Sequence, residues 1–201
     1  MLIGVLADTH VPYRMPEIPG PVVEALRGVD FILHAGDVDE PWALAPLQAL
    51  APVLAVRGNY HILDRSTAGA TLPRVVELDF AGRHLAMEHG FDIGPLAWVW
   101  KARSLLRQLS GHWDFPQYDA AIARCLLRRY PTADVIIFGH THRYYCQWWG
   151  EKLVLNPGAA LHTSYLRAPY APSVVYLQLL PDSPPQVKRL RLPLQKTRPG
   201  T

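Results

Sequence analysis

An α/β fold containing a parallel sheet is predicted by three features of the chain. Short apolar runs recur at Leu2 to Ala7, Phe31 to His34 and Val53 to Val56. The segments between them have crossover length and helical patterning, as parallel βαβ units require. Each run ends in polar, metal-capable side chains, and ligand sites in such sheets form at the carboxyl ends of strands.

The first run ends in Asp8-Thr9-His10 and reads as a central strand buried on both faces. Three prolines between Val11 and Pro19 mark a loop. Pro21 opens a short helix that Gly28 closes, the usual Pro-first, Gly-after asymmetry. The second strand ends in Ala35-Gly36-Asp37-Val38-Asp39. Pro41 to Leu50 has helical spacing, which Pro46 is expected to kink or shorten. After the third strand come Arg57-Gly58-Asn59-Tyr60-His61. Val75 to Phe80 and Arg83 to Glu88 alternate around Ala81-Gly82 as a hairpin that ends in His89-Gly90. Helices are expected over Pro95 to Ser110 and about Tyr118 to Tyr130, with basic faces at Lys101, Arg103 and Arg107 and at Arg124, Arg128 and Arg129. They form a helical elaboration at about 91–131.

A buried strand, Asp134 to Phe138, delivers Gly139-His140-Thr141-His142, and Gly139 permits the tight or left-handed conformation that lets both imidazoles converge. Taken alone, a His-x-His pair fits surface polarity as well as it fits a metal site. Tyr144 to Trp149 and Lys152 to Leu155 read as strands around Gly150, the second ending in Asn156-Pro157-Gly158. Val174 to Leu180 and Val187 to Leu192 read as a closing hairpin. One domain is expected over 1–194, with a frayed tail at 195–201.

Lys and Arg number 20 against 17 Asp and Glu, for a formal net charge of +3. That excess suits anionic ligands but is not a concentrated nucleic-acid stripe. Nucleic acid is therefore not indicated as a partner, and a homo-oligomer stays open. No apolar run approaches a membrane span and the start lacks a basic leader, so a non-membrane protein is expected. Two cysteines, Cys125 and Cys146, are too few for a disulfide framework, and a reducing cytoplasm is the simplest location.

Asp8, His10, Asp37, Asn59, His89, His140 and His142 all fall at expected strand ends. An oxygen and nitrogen set without thiolates suits manganese, iron, nickel or zinc. Seven ligands exceed one catalytic ion but suit two bridged ions with positions open for water and substrate. His34 and Asp39 read as supports for this set rather than as ligands. Trp98, Trp100, Trp148 and Trp149 read as packing residues before they read as a stacking surface.

Asp8-x-His10, Gly36-Asp37-x-Asp39, Gly58-Asn59-x-His61, His89-Gly90 and Gly139-His140-Thr141-His142 resemble, in this order, the five motifs of the calcineurin-like metallophosphoesterases. The small bacterial and archaeal phosphodiesterase branch is most similar, through Asn156-Pro157-Gly158. The resemblance covers about residues 1–160. It implies an αββα sandwich of two mixed β-sheets flanked by helices. It also implies one ion on Asp8, His10 and His142, a second on Asn59, His89 and His140, and Asp37 as the bridge. The activity implied is hydrolysis of a small phosphodiester by water or hydroxide on the metal pair, with His10 and Asn59 within the catalytic machinery. Phosphomonoesterase and nucleotide pyrophosphatase activities are the alternatives. Manganese is the foremost metal expected.

Tyr60 stands where phosphatase-branch relatives carry a His after the metal-binding Asn, so the leaving-group acid departs from the pattern. His61 could supply that proton, Tyr60 could position the phosphate, or good leaving groups could dispense with an acid. Arg143, beside the His pair, is the expected phosphate contact, together with Asn59 and Tyr60. A retromer subunit uses the same fold as a protein-binding scaffold with an altered metal site, so a scaffold predicts lost ligands; all seven positions here keep a ligating side chain.

Overall fold

Alternating burial within short strands builds this fold in four layers. The computed structural model describes residues 1–59, 67, 71–92, 94, 99, 116–161 and 170–194. Tyr60, His61, Trp98, Trp100, Arg103, Arg107 and the helix expected over Pro95 to Ser110 lie outside the described residues. In chain order the elements are β1 (Leu2–Leu6), α1 (Gly20–Ala25), β2 (Phe31–His34), a 3-10 turn (Pro41–Leu44), α2 (Ala45–Gln48), β3 (Val53–Ala55), β4 (Val75–Phe80) and β5 (Arg83–Glu88). Then follow α3 (Pro116–Arg129), β6 (Val135–Ile137), β7 (Tyr144–Trp149), β8 (Lys152–Pro157), β9 (Ser173–Gln178) and β10 (Gln186–Arg191).

Two five-stranded sheets result, ordered β10-β9-β1-β2-β3 and β4-β5-β6-β8-β7. The first has the parallel β1-β2-β3 core expected from the crossovers, flanked by the antiparallel β9-β10 hairpin. In the second, β5, β6 and β8 run parallel and β4 and β7 close the edges antiparallel. This is the αββα sandwich of two mixed sheets.

Side chains alternate across a strand, so each strand serves two layers. In β1, Ile3 and Val5 face the second sheet and, with Leu33 and Val175 of their own sheet, share one buried cluster with Leu85, Met87, Val135, Ile137 and Leu153 of the second. Leu6 packs on the other face with Val22 and Leu26 of the α1 region and Leu44 and Leu47. Gly4 allows that helix to approach, since a Cβ there would stand 2.5 Å from Leu26 Cδ2. The outer face of the second sheet, through Ala86, Ile136, Phe138 and Val154, buries Ile122, Ala123 and Leu126 of α3. No described helix is long and apolar enough to cross a membrane.

Of the two effects expected at Pro46, shortening is the one seen: Pro46 occupies the first turn of a short α2, where its missing N–H is not needed, after a separate 3-10 turn. One local expectation changes. β8 continues to Pro157 rather than stopping at Leu155, because Asn156 and Pro157 still pair with Tyr145 and Tyr144 of edge strand β7.

Arg129 does not sit on a solvated basic face. Its Nη1 donates to both oxygens of Glu88 at 2.6 and 2.7 Å, and the Tyr130 hydroxyl donates to the same carboxylate. Glu88 is 3% exposed, so the pair ties α3 to the end of β5. Arg129→Ala would leave that carboxylate buried on the tyrosine alone and is expected to cost about 2 to 3 kcal/mol. Replacing both partners by Met should recover most of that loss, as urea denaturation can measure. A double variant no more stable than Arg129→Ala would contradict this account.

Candidate metal centre

The ends of five strands from both sheets meet at one edge of the sandwich. Asp8 and His10 follow β1, Asp37 follows β2, Asn59 follows β3, His89 follows β5, and His140 and His142 follow β6. The loops are bonded to one another: Asp8 N donates to Gly36 O and His10 N to Asp37 O, both at 2.9 Å, and Gly139 N donates to His89 O at 3.2 Å.

One ligand atom each from Asp8, His10, Asp37 and His142 lies within 4.8 Å of the others. His10 Nε2 is 3.4 Å from His142 Nε2 and 3.6 Å from Asp37 Oδ2, and His142 Nε2 is 3.6 Å from Asp8 Oδ1. A second group adjoins the first. Asn59 Oδ1 lies 2.8 Å from His140 Nδ1 and 3.1 Å from His89 Nε2, while His89 Nε2 is 3.3 Å from Asp37 Oδ2. Asp37 therefore faces both groups. The structure brings all seven expected ligands together.

These residues fit a cation. Asp8 is fully buried and its Oδ2 has no hydrogen-bond partner, a costly state for a carboxylate oxygen. Burial, partly offset by the His89 charge, raises Asp8 to about 7. Burial also holds His10 down to about 3 and His142 well below its usual value, and the Arg14 cation nearby opposes their protonation. His89 goes the other way: burial disfavours its charge, but Asp37 outweighs that and lifts it to about 9. Neutral imidazoles facing carboxylates are a donor set suited to divalent metal.

The residues behind this cluster, Thr9, His34 and Asp39, are fully buried. Thr9 Oγ1 and His34 Nε2 are 3.0 Å apart, and Gly36 N donates to His34 Nδ1 at 3.3 Å, so His34 braces the loop that presents Asp37. Asp39 lies 3.7 Å from His10 Nδ1 and accepts from Tyr13 N at 3.2 Å. His89 Nδ1 donates to Ala35 O at 2.8 Å, which leaves Nε2 facing the cluster.

Gly139 differs from expectation. The left-handed backbone belongs to His140 (φ 74°) and His142 (φ 59°) themselves. Gly139 is required instead for close approach, because a Cβ there would stand 2.7 Å from Ala35 O and 3.1 Å from His89 Nδ1. Gly58 has the same role more severely, since its Cβ would overlap the Asp37 carboxylate.

Arg143 is engaged by the buried Asp119, with Nε donating to Oδ2 at 2.6 Å. Tyr118, Asp119 and Arg14 were not singled out by the sequence. Only the Arg14 position, four residues after His10 in the same loop, carried a local hint.

Residues 1–179 match the family model described as the calcineurin-like phosphoesterase superfamily domain. A probable metallophosphoesterase of Methanothermobacter thermautotrophicus is 35% identical over 159 residues, covering 79% of this chain and 77% of that protein. Among solved structures, zinc-complexed Vps29 of Entamoeba histolytica has a TM-score of 0.65 at 24% identity, covering 95% of this chain and 99% of the other. A protein described as a novel archaeal phosphodiesterase has a TM-score of 0.61 at 20% identity, covering 96% of this chain and all of its own. The chain belongs to the calcineurin-like phosphoesterase superfamily.

The buried groups set the pH dependence of the metal-free protein. His10 and His34, held down to about 3, and His142, held well below its usual value, bind protons just below pH 6.5 only when unfolded, so stability rises with pH toward 6.5. Asp8, raised from 3.8 to about 7, opposes that trend but is one group against three. Above 6.5, His89 stays protonated in the fold up to about 9, so stability falls as pH rises. The melting temperature in chelator is expected to peak at about pH 6.5 to 7. Bound metal should move the peak upward by displacing protons from Asp8 and His89. A metal-free optimum above about pH 8.5 would contradict these assignments.

Proposed function

We propose that this chain is a metal-dependent phosphodiesterase acting on a small organic phosphodiester. The observation that carries the reading is the meeting of all seven ligating side chains, with Asp37 facing both groups. Asp8, His10 and His142 would hold one divalent ion, Asn59, His89 and His140 a second, and Asp37 both, with manganese the foremost choice. Bound there, two ions would supply Lewis acidity toward phosphoryl oxygens and lower the pKa of water.

The chain's own groups supply the rest. Asn59 turns Oδ1 toward His89 and His140, so the amide's Nδ2 end is the natural donor to a phosphoryl oxygen. Arg143 would add a second contact while paired with Asp119, which tempers its charge. Tyr60 would help seat the phosphate. His61, three residues past Gly58 on the same segment, is placed by sequence to give the departing alkoxide its proton. Cys125 and Cys146 are unbridged, which suits a reducing compartment.

Manganese-loaded protein should hydrolyse bis(p-nitrophenyl) phosphate faster than p-nitrophenyl phosphate. The reverse order would favour a phosphomonoesterase. His140→Ala should lower kcat/KM by at least about 100-fold. Wild-type protein that turns over neither ester with metal would sink the enzyme reading and leave a scaffold. His61→Ala is expected to slow an alkyl diester by about 100-fold while sparing the nitrophenyl diester, whose leaving group needs no acid. Equal activity on both would remove His61 from that role.

A further inference from the structure

Helix α3 reaches the metal centre with its first turn. The Tyr118 hydroxyl lies 3.2 Å from His140 Nε2, and the two rings meet edge to face with centroids 6.0 Å apart. Next to it, Asp119 is fully buried and accepts from Thr141 Oγ1 at 2.6 Å through Oδ1 and from Arg143 Nε at 2.6 Å through Oδ2. Residues 140, 141 and 143 are thus each held from the helix, and His142 lies between held neighbours. Asn156 holds the same loop from β8, donating Nδ2 to Gly139 O at 2.7 Å and to Thr141 Oγ1 at 3.1 Å.

An imidazole has two ring nitrogens, and a neutral one carries hydrogen on only one of them. His140 turns Nδ1 toward Asn59 Oδ1 in the ligand cluster, 2.8 Å away. The nitrogen facing Tyr118 is then the one to carry hydrogen when Nδ1 is a ligand, and the phenolic oxygen accepts it. Such an outer partner fixes tautomer and ring orientation. His140 and His142 also hold left-handed backbone, at φ 74° and 59°, which persists only where the surroundings over-determine it.

We infer that Tyr118 and Asp119 are positioning residues of the metal centre: Tyr118 orients the His140 imidazole through Nε2, and Asp119 locks the loop that carries both histidines. This inference rests on the metal-binding reading above. It makes the aspartate and tyrosine of α3 part of the site although neither is a ligand.

The test compares wild type, Tyr118→Phe and Asp119→Asn by calorimetric titration with Mn2+, by imidazole nitrogen NMR of the metal-free protein, and by thermal melting in chelator. Tyr118→Phe keeps the ring and is expected to weaken one Mn2+ site about 10- to 100-fold. It should also alter the His140 Nε2 signal and leave the metal-free melting temperature unchanged. Asp119→Asn, which touches the shared loop, should weaken both sites. If wild type binds Mn2+ and Tyr118→Phe binds it equally well, the inference is overturned and the metal reading stands. A loss of affinity matched by a fall in metal-free melting temperature also overturns it, since the contact would then be merely structural. Wild type that takes up no Mn2+ overturns the metal reading itself, and the inference with it.

Discussion

The centre depends on holding five ligand-bearing residues in a backbone conformation that side chains with a Cβ resist. Asp8, His10, Asp37, His140 and His142 all lie at φ between 46° and 74°. Each such residue costs roughly 1 kcal/mol or more, least for Asp, Asn and His, whose short polar side chains tolerate the region best. The cost is offset by the packing behind the turns. β1, β2, β5 and β6 carry ligands at their ends and bury Val5, Leu33, Met87 and Ile137 against one another between the sheets. That core fixes the spacing of the strand ends, and the bonds from Asp8 N, His10 N and Gly139 N fix the turns.

The same convergence concentrates electrostatic cost. Burial, with the Asp37 charge as a lesser cause, pushes Asp8 upward, and burial pushes His10 and His142 downward. Of His10, His89 and His142, His89 alone is drawn into protonation, by Asp37. In the metal-free protein, then, the protons sit on the groups nearest the junction of the two ligand sets. A divalent ion bound there would replace those protons and satisfy Asp8 Oδ2, so metal and proton would compete for one place.

Much of this was legible in the sequence because strand ends are local. Apolar runs broken by Asp-x-His, Gly-Asp, Gly-Asn, His-Gly and Gly-His-x-His mark both the strands and their ligands, and the parallel core follows from the crossovers between them. What escaped depends on long-range packing. Gly139 was read through its own conformational freedom, whereas its role is set by Ala35 O and His89, residues on other strands. Tyr118 and Asp119 lie 22 residues from their partners on the His140 loop, at positions whose pattern is that of any amphipathic helix. Arg129 looked like one cation of a basic face; its partner Glu88 closes a strand 41 residues away. Periodicity identifies which face of a helix is buried but not which polar group will meet it there.

Fold alone does not settle what the chain does, since it is nearly as similar to zinc-complexed Vps29 as to a protein described as a novel archaeal phosphodiesterase, at TM-scores of 0.65 and 0.61. The choice rests on what the site costs. A scaffold gains nothing from two buried carboxylates, a carboxylate oxygen without a partner and five left-handed ligand positions. Replacing Asp8, Asp37 or the histidines by apolar side chains of similar volume would relieve desolvation with no loss to a binding surface elsewhere. Every one of those groups is present, and each faces another ligand across 2.8 to 3.6 Å. Such an arrangement is stabilised when a cation occupies it and is destabilising otherwise, which is the physical reason to read this edge of the sandwich as a candidate metal centre.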